Sequence, residues 1–165
     1  MPNTIIIGSG SYLPTKIVGR EHFMDSVFYT DEGEIIDKPN AEVIQKFVEI
    51  TAIENRRYLE DDEFNSDLGH RAALEAIADA KIDQEDLEYI IYASNFGEVN
   101  KDGMTNFMPS MSARVKNKLG IKNRKCVNYD MIFGCPGWVE ALILADTLIK
   151  SKKAKLILVI GSETL

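Results

Sequence analysis

The sequence predicts an α/β fold, a mostly parallel sheet with helices on both faces. Two observations carry this. The runs Tyr89-Ile90-Ile91-Tyr92-Ala93 and Leu156-Ile157-Leu158-Val159-Ile160 are continuously apolar, so each reads as a strand covered on both sides. Segments with apolar residues at helical spacing lie between such runs, and alternation of this kind builds a parallel sheet.

The elements follow in order. Thr4–Gly10 reads as a short strand, Ile5-Ile6-Ile7, closed by Gly-Ser-Gly, and residues 11–14 as a turn. Residues 21–40 are acidic and poorly periodic, with Gly33 and Pro39, and read as an irregular excursion. Asn40 is placed as the cap of a helix over 41–50, with Val43, Ile44, Phe47 and Ile50 on one face. The charged stretch 54–65 reads as loop. Ser66 is expected to cap a helix running to Ala80 that buries Leu68, Ala72, Ala73, Ala76, Ile77 and Ala80. Glu88–Ser94 is a buried strand. Residues 109–119 are helical and end at Gly120. Arg124–Asp130 is a strand, residues 135–150 a largely buried helix, and residues 155–161 a strand. The chain stops directly after that strand, which suggests a fragment or one half of a larger fold.

Composition narrows the function. The 165 residues can bury a sizeable core, and 45% of them are hydrophobic, as is usual for globular proteins. No apolar run could cross a bilayer, and the first residues lack the basic start and apolar stretch of a signal peptide, so the expected location is cytoplasmic. Cys126 and Cys135 make no disulfide framework. Two His and two Cys at no regular spacing do not predict a metal site, and no cofactor is expected. The net charge of −7 argues against nucleic-acid binding. Charge is uneven: residues 21–63 hold 13 acidic and 4 basic side chains, and residues 101–155 hold 11 basic and 4 acidic ones. Two solvated faces, or a docking patch for an acidic partner or a phosphate-bearing ligand, would both look like this.

Cys135 is the residue with the clearest chemical promise. It stands in Phe133-Gly134-Cys135-Pro136-Gly137-Trp138, where a strand ends and a helix begins. Free N–H groups and the macrodipole at a helix start favour negative charge on a thiol. Pro136 suits the first helical turn, and the flanking glycines permit a sharp turn and close packing. A small buried hydrophobe would also fit the residue type, and spacing alone leaves both readings open.

Several segments together resemble the N-terminal half of a β-ketoacyl-acyl carrier protein synthase III, within the thiolase-like superfamily. These are Ile7-Gly8-Ser9-Gly10-Ser11-Tyr12-Leu13-Pro14, Thr51-Ala52-Ile53-Glu54-Asn55-Arg56-Arg57-Tyr58, and Pro109-Ser110 followed by Lys118-Leu119-Gly120-Ile121. Phe133-Gly134-Cys135-Pro136-Gly137 and Leu158-Val159-Ile160-Gly161-Ser162-Glu163 complete the set. The resemblance spans residues 1–165 as one half-domain, with 21–40 as an irregular insertion and the C-terminal half absent. It implies that Cys135 takes an acyl group as a thioester from acyl-CoA or an acyl carrier protein. A malonyl-carrier thioester then decarboxylates and its carbanion attacks the acyl-enzyme, a decarboxylative Claisen condensation of fatty acid or polyketide-type biosynthesis. In the family a His and an Asn of the second half assist decarboxylation, so the isolated chain is expected to be inactive in condensation. The backbone N–H of Cys135 would supply one oxyanion donor.

The resemblance also implies a homodimer. It places Met108 and Phe133 at the acyl-binding pocket, with Met108 crossing to the partner's site. On composition alone Met104, Phe107, Met108 and Met111 read equally as core packing. His22 and His70 match no family catalytic position, and His70 reads as a surface or boundary residue of its helix. The sequence departs from the family where a Trp and an Arg precede the Gly-Ile stretch: Val43, Ile44 and Ile50 stand in that region, and the Gly is Ala52. A carrier-bound or unusual primer is therefore as compatible as acyl-CoA. The alternatives are a non-catalytic partner subunit that binds acyl carriers, a cysteine hydrolase, and a nucleotide-binding domain. Gly8-Ser9-Gly10 argues only weakly for the last, because Leu13 occupies the third glycine position of the dinucleotide fingerprint.

Overall fold

The computed structural model describes residues 3–164. They form two compact units, one comprising Pro14–Glu60 and the other the remaining residues.

The smaller unit holds β1 (Lys16–Gly19), α1 (Asn40–Thr51) and β2 (Asn55–Tyr58). β1 and β2 pair antiparallel, Lys16 opposite Tyr58 and Gly19 opposite Asn55. Neither strand was expected, since residues 54–65 read as loop. Long charged side chains conceal the two-residue period: along β2 exposed Asn55 and Arg57 alternate with half-buried Arg56 and Tyr58. Arg57 donates to the carbonyls of Pro14 and Thr15, each at 3.4 Å. α1 begins at Asn40 itself, with Pro39 at the cap. The Asn40 side chain turns away and donates to the carbonyls of Met24 and Ser26 at 2.6 and 2.8 Å, pinning the irregular stretch rather than the helix start. Val43 and Ile44 are buried, whereas Ile50, expected on the same face, is 71% exposed.

The larger unit contains α2 (Asn65–Ala80), β3 (Tyr89–Ser94), β4 (Glu98–Val99), β5 (Thr105–Asn106), α3 (Met111–Lys118), β6 (Val127–Ile132), α4 (Gly137–Lys150) and β7 (Ile157–Gly161). The parallel sheet has the order β6-β3-β7, with Tyr89 level with Val127 and Ile157. Alternation along β3 divides the core. Ile90 and Tyr92 pack with Ala73, Met111 and Val115 of α2 and α3. Ile91 and Ala93 face Ala141 and Ala145 of α4. The expected parallel sheet with helices on both faces is thus present. α3 is tied to β6 by Asp130, whose carboxylate accepts the Met111 and Ser112 N–H groups at 2.6 and 2.8 Å and the Ser112 hydroxyl at 2.6 Å.

Four expectations need correction in this unit. Residues 4–10 form no strand. β3 already has ladder partners on both sides, and the N-terminal segment lies along α2. There the Ser9 N–H donates to Asp79 at 2.9 Å and the Ser11 N–H to Glu75 at 3.1 Å. Gly10 permits this approach, because a Cβ there would stand 2.3 Å from the Ala72 carbonyl oxygen. Second, α2 starts two residues early. Phe64 is its cap, the Asp67 carboxylate accepts the Phe64 N–H at 3.0 Å, and Ser66 is diverted to Glu98. Third, α4 starts at Gly137 rather than Cys135 and buries only Gly137, Ala141 and Ala145; Trp138, Val139 and Ile143 are about half exposed. Fourth, Met104, Phe107 and Met108 are exposed and only Met111 enters the core.

Gly69 of α2 sits against Tyr92: a Cβ there would come within 2.5 Å of the Tyr92 ring. That ring is fully buried and cannot swing aside. Gly69→Ala should therefore destabilise the chain by about 1–3 kcal/mol of overpacking, opposed by at most ~1 kcal/mol of helix propensity. Urea unfolding measures the difference, and a gain in stability would contradict this packing.

Candidate active site

The C-terminal ends of the parallel strands lie at one edge of the sheet, the usual position of ligand sites in open α/β sheets. The register sets Ser94 level with Ile132, and Ala93 level with Gly161. The chain leaves β6 at Ile132 and turns through residues 133–136 into α4. The Phe133 N–H donates to the Ser94 carbonyl at 3.1 Å, and the Gly137 N–H to the Gly134 carbonyl at 2.8 Å, closing the turn.

This turn presents Cys135 to solvent, two residues ahead of α4. Cys126 is buried beneath α3, and burial pushes its thiol above the ordinary range. The two cysteines thus divide as the sequence could not decide: one packed, one offered. Gly137 earns its place through contact, since a Cβ there would stand 3.1 Å from the Phe133 Cβ and 3.6 Å from the Ala93 Cβ. A Cβ on Gly134 would meet only the Pro136 Cδ, at 3.9 Å, and its backbone is not left-handed.

Cys135 opens into a groove of ≈ 790 Å³. Phe133, Trp138, Leu142 and Leu158 give it apolar walls, and Ser94 and Glu163 add polar groups. The Glu163 carboxylate accepts the Asn95 N–H, joining the segment after β7 to the end of β3. Trp138 packs against β7: a Cβ on Gly161 would meet its indole at 2.7 Å. The groove therefore places an apolar channel beside a thiol, an arrangement that suits a thioester with an acyl tail.

Of the expected site residues, Cys135 and Phe133 meet in the groove, and Phe133 is 49% exposed there. Met108 does not line it; it is 78% exposed beside the β4–β5 hairpin, where its carbonyl accepts from Arg114 at 3.3 Å. His70 lies half-buried on α2, as expected, and outside the groove lining; burial first, and then Lys118, lower its pKa. Among the described residues no cluster of three His, Cys, Asp or Glu could hold a metal. No helix there is long and apolar enough to cross a membrane. Four cations of the basic set are engaged within the chain. Lys118 pairs with Asp67 at 2.6 Å, Lys150 with Asp146 at 2.8 Å and Arg114 with Glu98 at 3.5 Å, while Lys116 donates to the Cys126 carbonyl at 2.8 Å. Sequence reasoning missed Trp138, Ser162 and Glu163 as groove residues. The signal was present in Gly161-Ser162-Glu163, polar residues directly after an apolar parallel strand.

Comparison with known proteins agrees with this geometry. The family model for 3-oxoacyl-[acyl-carrier-protein (ACP)] synthase III matches residues 129–165, which hold most of β6, the Cys135 turn, α4 and β7. The chain is 36% identical over 160 residues to β-ketoacyl-[acyl-carrier-protein] synthase III 1 of Vibrio vulnificus, covering 97% of this chain and 44% of that protein. It is 34% identical over 165 residues to the synthase III of Clostridium acetobutylicum, covering 100% of this chain and 44% of that protein. The crystal structure of 3-oxoacyl-[acyl-carrier-protein] synthase III from Aquifex aeolicus superimposes with a TM-score of 0.74 at 30% identity, over 97% of this chain and 44% of that one. The chain thus spans less than half the length of the curated relatives it matches. With its parallel sheet and this likeness along its whole length, the chain is homologous to the N-terminal half of the β-ketoacyl-[acyl-carrier-protein] synthase III proteins and has the corresponding half of their thiolase-like fold.

Proposed function

We propose that Cys135 is the acyl acceptor of a condensing enzyme. Its thiol attacks the carbonyl of an acyl-CoA or acyl-carrier thioester; the S–acyl bond to Cys135 forms as the bond to the donor sulfur breaks, and the donor leaves as a free thiol. In the complete enzyme a malonyl-carrier thioester loses CO₂. The resulting carbanion attacks the acyl-Cys135 carbonyl and releases the cysteine, giving a β-ketoacyl thioester for fatty acid or polyketide-type synthesis. The acyl tail lies in the groove between Phe133 and Leu158. The supporting observation is the exposed Cys135 at the head of α4, opening into an apolar channel.

This chain alone carries the acyl-accepting half of the chemistry and no histidine in the groove lining, so it is inactive in condensation. The exposed Met104, Phe107 and Met108 around the β4–β5 hairpin support a homodimer in which Met108 reaches the partner's acyl site. Intact mass spectrometry with a panel of acyl-CoA and acyl-carrier thioesters tests the reading. The expected result is a mass gain of one acyl group, and the best donor names the primer class. No gain here or in a chain extended through the second half would favour a non-catalytic partner subunit.

A further inference from the structure

Asn65 is polar, fully buried and the first residue of α2, and the acyl-transfer reading does not use it. Both ends of its carboxamide are bonded within the chain. Nδ2 donates to the Gly97 carbonyl at 3.0 Å and to the Ser162 carbonyl at 3.3 Å. Oδ1 accepts from the Ser162 hydroxyl at 2.6 Å, and the single Tyr92 hydroxyl proton is shared between Oδ1 at 3.1 Å and the Asn65 backbone carbonyl at 3.0 Å. One side chain thus grips the turn after β3 and the segment after β7, the two sides of the groove floor.

The grip continues to the nucleophile. The Gly97 N–H donates to Ser94 Oγ at 3.1 Å, so fixing Gly97 fixes Ser94. The Ser94 carbonyl accepts the Phe133 N–H at 3.1 Å, and Phe133 stands two residues before Cys135. On the other side the Ser162 N–H donates to the Ala93 carbonyl at 3.2 Å. We propose that Asn65 is a positioning residue for Cys135, its carboxamide holding the Ser94–Gly97 turn and Ser162 so that the Phe133–Cys135 turn is fixed over the groove. The inference rests on Cys135 being the acyl acceptor.

The Tyr92 phenol is held well above its ordinary pKa by burial, so it stays a hydroxyl donor to this network at physiological pH. A second anchor beside Asn65 acts separately. The Ser66 N–H and hydroxyl both donate to Glu98 at 2.8 Å, and Glu98 pairs with Arg114. That anchor ties α2 to β4 without touching Ser94 or Ser162, which makes Ser66→Ala the matched control: equally buried, differently directed.

The test uses the 165-residue chain and two readouts, amide hydrogen exchange and the initial rate of Cys135 acylation. In Asn65→Ala and in the milder Ser162→Ala, exchange at the Phe133 amide should rise about tenfold relative to the Ile91 amide in the centre of β3. Acylation should fall about tenfold, with alkylation by iodoacetamide changed less than about twofold, because accessibility is retained and alignment is lost. Ser66→Ala should leave the Phe133-to-Ile91 exchange ratio unchanged. An unchanged ratio in Asn65→Ala, or equal acceleration of both amides, would overturn the positioning role and leave Asn65 a scaffold residue. If the wild-type chain accepts no acyl group, the acyl-acceptor reading fails by itself, and the exchange ratio still decides whether Asn65 holds the turn.

Discussion

Cys135→Ala should abolish the acyl adduct completely. Cys126, the other thiol, is 4% exposed and packed in the core, so it cannot take over. Cys135→Ser keeps the turn and the size of the side chain but replaces a thiol with a weaker nucleophile, and acylation should slow on the order of 100-fold. Neither variant should shift the unfolding midpoint measurably, because Cys135 is exposed and removing its sulfur leaves no cavity. Intact mass after acyl-CoA exposure, with a thermal melt on each variant, checks both halves. An adduct retained in Cys135→Ala would move the chemistry elsewhere.

Ile91→Ala should give the largest loss of stability. Ile91 is completely buried at the centre of β3, between β6 and β7, and packs toward Ala141 and Ala145 of α4. The buried α4 residues that face it are small, and the backbones on either side are held by ladder bonds, so the space left closes only in part. Removing its methyl groups should cost about 2–5 kcal/mol, a large part of the ~5–15 kcal/mol that holds a domain of this size together. The same change loosens α4, whose first turn follows the Cys135 loop, so acylation should slow as well. Urea unfolding measures the first effect. A loss below ~1 kcal/mol would show that α4 packs more loosely than described.

What the sequence disclosed, and what it concealed, follows from where the signals arise. β3, β7 and α2 were legible because continuous apolar runs and helical periodicity reflect burial directly, as Ile90, Ile91 and Ala73 show. The turn that carries Cys135 was legible from its neighbours, since a Gly-Cys-Pro-Gly between strand and helix constrains the backbone, but whether its thiol is packed or exposed was not. β1 and β2 were concealed because Arg56 and Arg57 carry strand alternation in side chains that read as loop. The N-terminal Ile5-Ile6-Ile7 has strand composition, but composition cannot tell whether a partner edge is free; here the segment bonds to Asp79 and Glu75 of α2. Asn65 was missed because it falls at the end of the charged stretch that reads as loop, and only tertiary structure brings Gly97, Tyr92 and Ser162 around it.

The most direct measurement is peptide mapping of the acylated chain. After incubation with the best thioester donor, the chain is digested and the acyl group located by fragmentation mass spectrometry. The account predicts the acyl group on Cys135 alone, with Cys126 recovered as free thiol. Acyl groups on Cys126, or spread over surface lysines with Cys135 unmodified, would contradict it.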